Sequence, residues 1–285
     1  MKTYYKYQEV RGLKIFYREA GNPLKNTIVL LHGFPSSSHM YRNVISQLSD
    51  AYHLVAPDYP GFGESDFLPA DEFTYSFDNI AKIMDEFLES LNIARYTLMI
   101  QDYGAPIGFR IATAHPERVQ GLIVQNGNAY EEGLGEPFID IKKFWENRTP
   151  ETEAAASGIL SLEATKFQYL HGTKNPEAIN PDNWNLDYYK LSRPGNGHAQ
   201  IELFYDYRNN VKLYPEWQKY LRQNQPPLFI AWGKNDPFFT EAGAKAYLRD
   251  VKKVDYHSYD TGHFALEEEG DAIINAIRNF MQQLG

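Results

Sequence analysis

The 285 residues carry a formal net charge of −9, 43% of them are hydrophobic, and none is cysteine. A chain of this size can build one large domain with an insertion and fill a sizeable core, and without cysteine it has no disulfide, thiol nucleophile or thiolate metal site. The acidic balance, with no basic run, argues against nucleic acid and anionic membrane as partners, since both are bound through clustered Lys and Arg.

The first ten residues, MKTYYKYQEV, lack the apolar centre of a signal peptide, so nothing directs export and a cytoplasmic protein is expected. Tyr4 to Val10 and Leu13 to Glu19 read as strands joined in a hairpin at Arg11-Gly12, and Asn26 to Leu31 as a third, more buried strand. Apolar runs such as Thr27 to Leu31 are far too short to span a bilayer. After His32-Gly33-Phe34-Pro35, Ser36 to Ser38 offer N-caps for a helix over His39 to Leu48. His53 to Ala56 is another strand, leading into the turn loop Asp58 to Ser65, DYPGFGES. Phe77 to Leu91 is an amphipathic helix with Ile80, Ile83, Met84, Phe87 and Leu91 on one stripe. Tyr96 to Gln101 and Val119 to Gln125 are buried strands on either side of a helix from Tyr103 to His115.

The strand and helix alternation then stops. Residues 129–222 are helical, loop-rich and crowded with Trp, Tyr and Phe, too long for a connection and too aromatic for a linker; they read as an inserted helical cap. Leu228 to Trp232 resumes the sheet, Glu241 to Arg249 is helical, Val254 to Tyr259 is the last strand and Asp271 to Leu284 a closing helix. Residues 1–128 and 223–285 thus form one α/β core. No His-x-x-His or His-Glu-x-x-His spacing offers a metal site, Gly61-Phe62-Gly63 lacks the third glycine of a dinucleotide fingerprint, and no P-loop is present, so neither metal nor cofactor is expected.

Asp102 stands at the joint between a buried strand and a packed helix. So sharp a turn needs a strained, left-handed residue at its tip, which Asp tolerates better than most. Gly104 and Gly108 let the helix pass close to the sheet, and Pro106 fits its first turn. The carboxylate therefore lies at the positive end of a helix, above the carboxyl edge of a parallel sheet. Three further signals fall at strand ends: Phe34, whose backbone N–H together with that of Tyr103 could form an oxyanion hole; Asp236, after the first strand beyond the insertion; and His263, after the last strand. Singly, each has a plain structural reading, as helix cap, loop or turn former. Jointly they follow the order nucleophile, acid, base. His115 reads as a helix terminator, Asp58 as shaping its turn, and His32 as holding the loop above the site.

These motifs, namely His32 to Pro35, Asp58 to Ser65, Gln101 to Gly104, Gly233 to Asp236 and Gly262 to Phe264, resemble those of the α/β-hydrolase superfamily over nearly the whole chain. Asp at the elbow, where most members carry Ser, resembles the epoxide hydrolase and haloalkane dehalogenase branch. The resemblance implies an α/β-hydrolase fold: a mostly parallel eight-stranded sheet flanked by helices, with a helical cap.

A carboxylate nucleophile limits the chemistry. Attack on an ester carbonyl would give an anhydride, whereas displacement at a saturated carbon gives an alkyl ester that water can hydrolyse. The dehalogenases typically bind the halide with a Trp directly after the nucleophile and an Asn in the hole loop or a second Trp in the cap. Here the first two positions hold Tyr103 and Phe34, a departure from that pattern. Epoxide hydrolases use cap tyrosines as the acid, and Phe204 to Asn209 looks like the segment bearing one: Tyr207 is the candidate, with Tyr205 its neighbour. For a second tyrosine, Tyr130, Tyr169 and Tyr188 stay open; Trp145 and Trp184 are candidate halide donors. The expected substrate is a small apolar epoxide, the alternatives a haloalkane or, from another class, a receptor or carrier role on the same fold. The chain is expected to act as a monomer or homodimer.

Overall fold

The computed structural model describes residues 1–284; Gly285, the end of the expected core segment, lies outside the described residues. Eight strands form one sheet: β1 (Tyr4–Val10), β2 (Leu13–Ala20), β3 (Thr27–Leu31), β4 (His53–Pro57), β5 (Tyr96–Gln101), β6 (Val119–Gln125), β7 (Leu228–Gly233) and β8 (Val254–Tyr259), in the order β1-β2-β4-β3-β5-β6-β7-β8. The β1–β2 hairpin turns on Arg11 and Gly12, both at positive φ, and is antiparallel to β4; from β4 to β8 every pairing is parallel.

The central strands are uniformly apolar because each faces core on both sides. Successive residues of β3 alternate between two packed layers: Val29 and Leu31 join Leu98, Ile100 and Val124 on one face, while Ile28 and Leu30 join Met99, Ile123 and Phe229 on the other. Helices α1 (Arg42–Leu48), α2 (Phe77–Ser90) and α3 (Gly104–Ala114) cover these faces; α2 buries Ile80, Ile83, Met84 and Phe87 of the stripe read from the sequence, while Leu91 falls at its C-cap and is half-buried, and Ser76 caps the helix by accepting from the Asn79 N–H. The helix expected over His39 to Leu48 begins instead as a 3₁₀ turn, Ser38–Tyr41, because Asp58 Oδ1 takes the Ser38 N–H at 2.7 Å and Ser37 caps the turn.

Between β6 and β7 lie α4 (Phe138–Glu146), α5 (Pro150–Ala156), α6 (Leu162–Leu170), α7 (Pro181–Leu191) and the 29-residue α8 (Asn196–Asn224). They stand over the carboxyl ends of the strands. Residue 222 falls in the last turn of α8, whose final half packs on the sheet-covering layer: Trp217 stacks on Phe109 of α3 with ring centroids 5.3 Å apart. Helices α9 (Glu241–Asp250), α10 (Ala265–Glu268) and α11 (Gly270–Gln283) complete the chain. Among the described residues no helix is long and apolar enough to cross a membrane.

Candidate active site

The turn from β5 into α3 places Asp102 at φ 47°, the left-handed tip expected of this joint. The turn is possible because a Cβ on Gly104 would stand 2.0 Å from the Leu31 carbonyl oxygen. Asp102 is buried, and Phe34 N donates to its Oδ1 at 2.7 Å; the Tyr103 backbone N–H supports the same carboxylate. The two amides expected to form an oxyanion hole thus already converge on the Asp102 carboxylate. His32 holds their loop: its ring stacks on Tyr59 at 4.0 Å and its Nδ1 lies 3.0 Å from the Gly33 carbonyl oxygen, while burial pushes its pKa down to about 3, so it stays neutral. Asp58 shapes its turn, accepting from the Ser38 and Glu64 N–H groups.

On the other side, His263 Nδ1 lies 2.7 Å from Asp236 Oδ2, and His263 Nε2 lies 4.0 Å from Asp102 Oδ2. The structure therefore brings Asp102, His263 and Asp236 together. Asp236 is held by the Phe238 N–H on Oδ1 and by Asn126 Nδ2 on Oδ2, both at 2.8 Å. With its carboxylate spoken for, Asp236 fixes the ring tautomer: Nδ1–H donates to it, leaving Nε2 as an acceptor.

Two of these neighbours escaped sequence reasoning. Asn126, at φ 44° after β6, bridges β7 by accepting the Gly233 N–H while donating to Asp236; the polar run Gln125 to Asn128 after a buried strand was its signal. Gln101 Nε2 lies 2.9 Å from His263 Nε2, and as the last residue of a buried strand it gave no sign of its role.

Above Asp102 is a tight cavity of about 30 Å³, lined chiefly by Phe34, Tyr103, Phe138, Trp145, Gln168, Phe204, Tyr207, Phe238 and Phe239. That space is on the scale of roughly two water molecules, so a substrate of any size must shift the helices above. Tyr207 reaches it, stacked on Trp145 at 5.8 Å, with its hydroxyl 3.3 Å from that of Tyr214, which in turn accepts from Asn128 Nδ2. Trp145 lines the cavity, but its indole N–H donates to the Phe204 carbonyl at 2.7 Å. Two expected leaving-group residues lie elsewhere. Trp184 packs against Tyr169 in the core beneath α7, and Tyr205, on the opposite side of α8 from Tyr207, sits between Phe144 and the Arg208 guanidinium. Tyr130 and Tyr169 give their hydroxyls to Asp250 and Asp187, and with Tyr188 lie outside the cavity lining. Among the described residues no group of three or more His, Cys, Asp or Glu is placed to hold a metal ion.

The electrostatics suit a two-step cycle. Burial raises the Asp102 carboxyl to about 6, although the His263 charge and the Phe34 and Tyr103 amides oppose this. Burial works against a charged His263 ring, yet the Asp236 carboxylate, by charge and hydrogen bond, and the Asp102 charge hold its pKa above the usual value. Esterifying Asp102 would remove one of those charges and lower the ring's pKa when it must act as a base. A carboxylate attacks carbon only when ionised, so any alkylation at Asp102 is expected to rise as pH climbs through about 6 and then level. Stopped assays from pH 4.5 to 8 check this; a flat profile would contradict it.

Residues 26–270 match the family model described as alpha/beta hydrolase fold. An uncharacterized hydrolase of Saccharomyces cerevisiae is 42% identical over 96% of this chain and 95% of its own length. A haloalkane dehalogenase of Mycolicibacterium paratuberculosis is 41% identical over a shorter stretch, 42% of this chain and 40% of that protein. The solved structure of the epoxide hydrolase CorEH superposes with a TM-score of 0.80 at 20% identity, covering 100% of each chain, a likeness of fold. With the eight-stranded sheet and the strand-end site, these matches make the chain a member of the α/β-hydrolase family.

Proposed function

We propose that this hydrolase opens small apolar epoxides by a covalent route, with Asp102 as nucleophile, His263 as base, Asp236 orienting it, and residues 129–222 as the cap that closes over substrate. In the first step Asp102 Oδ2 attacks a ring carbon, the carbon–oxygen bond breaks, and the Tyr207 hydroxyl gives its proton to the departing oxygen. The product is an alkyl ester. In the second, His263 Nε2 takes a proton from water, which adds to the ester carbonyl; the Phe34 and Tyr103 amides hold the resulting oxyanion. Collapse breaks the bond to the ester oxygen and expels an alkoxide, which takes the proton held by His263; the regenerated Asp102 acid gives its proton to the Tyr207 phenolate, and all three residues return to their starting states. Epoxide plus water has become a diol.

The observation that carries this reading is the pairing of a buried elbow carboxylate with a cavity whose tyrosine hydroxyl is aligned by a second one, Tyr207 to Tyr214. A hydroxyl can protonate an alkoxide, whereas a halide needs only N–H donors, and the Trp145 N–H is engaged. The partial likeness to a haloalkane dehalogenase keeps that chemistry as the second reading. Tyr207→Phe separates them. It is expected to slow single-turnover alkylation by a terminal aliphatic epoxide by about 10²-fold and to leave alkylation by a bromoalkane nearly untouched. Equal losses would remove the acid role, and a wild-type protein that reacts with bromoalkanes but with no epoxide would replace this reading with the second.

A further inference from the structure

We propose that Gln168 is the second donor to the oxygen of the opening epoxide, beside Tyr207; this rests on the epoxide reading above. Gln168 lies on α6, is 3% exposed and lines the same cavity as Asp102, yet its Nε2 has no hydrogen-bond partner among the described residues. A buried amide N–H left unpaired destabilises the fold, and a native chain keeps one where something else supplies the acceptor. Most of the lining around it is aromatic or aliphatic carbon. Tyr130, Tyr169 and Tyr188, left open for a second hydroxyl, all lie outside the cavity lining, whereas Gln168 brings an unpaired donor to it.

The chemistry divides accordingly. An epoxide oxygen has two lone pairs, and as the ring opens both gain charge. Gln168 stabilises that charge through a carboxamide N–H that it does not give up; Tyr207 alone transfers a proton. Discrimination follows as well: a substrate whose reacting carbon bears no adjacent acceptor leaves the Gln168 donor buried and unpaired, which sites built around hydrogen bonds penalise heavily.

The test uses the full chain carrying His263→Gln, so that alkylation is read without hydrolysis, with a small terminal aliphatic epoxide as probe and intact mass as readout. Adding Gln168→Met, near in shape but without a donor, is expected to lower the saturating alkylation rate about tenfold or more, with the half-saturating concentration changed by less than about threefold and the melting temperature no lower than the parent's. Adding Gln168→His instead restores an N–H and is expected to recover part of the rate. An unchanged rate in Gln168→Met overturns the assignment while leaving the Asp102 reading intact. A slower rate with a lower melting temperature and no recovery by Gln168→His makes the residue packing and also overturns it. If the His263→Gln parent takes up no epoxide, the failure lies with the Asp102 reading itself, and this inference falls with it.

Discussion

A His263→Gln variant given a small epoxide is expected to gain the mass of the whole epoxide and to keep it. The first half-reaction takes no proton from the ring: the Phe34 amide on Asp102 Oδ1 stays in place, and losing the His263 charge only raises the pH at which the carboxylate ionises. The second half-reaction needs a base 4.0 Å from that carboxylate, the separation now held by His263 Nε2, and glutamine offers none. Hydrolysis is expected to slow by about 10³-fold or more, so the ester accumulates and intact-mass spectrometry reads it. A haloalkane would instead add its mass less that of the hydrogen halide. Peptide mapping should put the adduct on Asp102; an adduct on another residue, or none from a broad panel of both classes, would refute the covalent route.

Replacing Asp102 with Ala is expected to remove turnover by about four orders of magnitude or more and to abolish the adduct altogether, since among the described residues no other carboxylate lines the cavity. Survival of activity would mean that the nucleophile lies elsewhere. The same position should act oppositely on stability. A folded pKa of about 6, against 3.8 unperturbed, means that the native state holds this proton more tightly than the unfolded chain does. Stability from that source is fully present below the unfolded pKa and is lost as pH rises through about 6, so at pH 8 the ionised carboxylate works against the fold by roughly 3 kcal/mol. Asp102→Asn keeps the acceptor for the Phe34 amide and drops the charge. It is expected to melt above the wild type at pH 8, with the gap closing toward pH 4; a lower melting temperature at pH 8 would contradict the electrostatic account.

The strands were readable because burial leaves a local mark. Runs such as Ile28 to Leu31 and Leu228 to Trp232 face core on both sides and read as short apolar segments, so the polar residues just beyond them stood out. Asp102, Asp236 and His263 were legible as strand-end residues in order. Gln101 and Asn126 were not, because their significance comes from a partner 162 and 110 residues away, respectively. The insertion was harder still. A proline is ambiguous in local pattern: Pro150 and Pro181 open α5 and α7 at positions where a missing N–H is harmless, and Pro215 lies inside α8 without ending it. Which side of each helix faces Asp102 depends on how the helices cross, so Tyr207 and Tyr205, two residues apart, could not be told from one another by local pattern; only the former meets the cavity. Gln168 is hidden for the same reason.

The anchoring of α8 has a consequence for how reactants come and go. Asp206 accepts the Phe77 N–H at the start of α2 at 2.8 Å, Asn210 accepts from Arg110 at 2.7 Å, and Gln218 donates to the Ala129 carbonyl at 2.9 Å. The wall that carries Tyr207 is thereby riveted to the sheet layers. The facing wall is tied at its two ends, where Gly135 N donates to the Phe238 carbonyl and Asn235 Nδ2 to that of Gly172, and between them by the Trp145 indole on the Phe204 carbonyl, by Arg148 on Glu202 and by Tyr169 stacked on Phe264, whereas α5 buries none of its residues. Of the helices α4 to α6, α5 therefore has the least packing to lose on opening. Amide exchange is expected to run faster there than along α8, and under the proposed epoxide reading diol release past α5 is expected to limit turnover independently of Asp102 and His263.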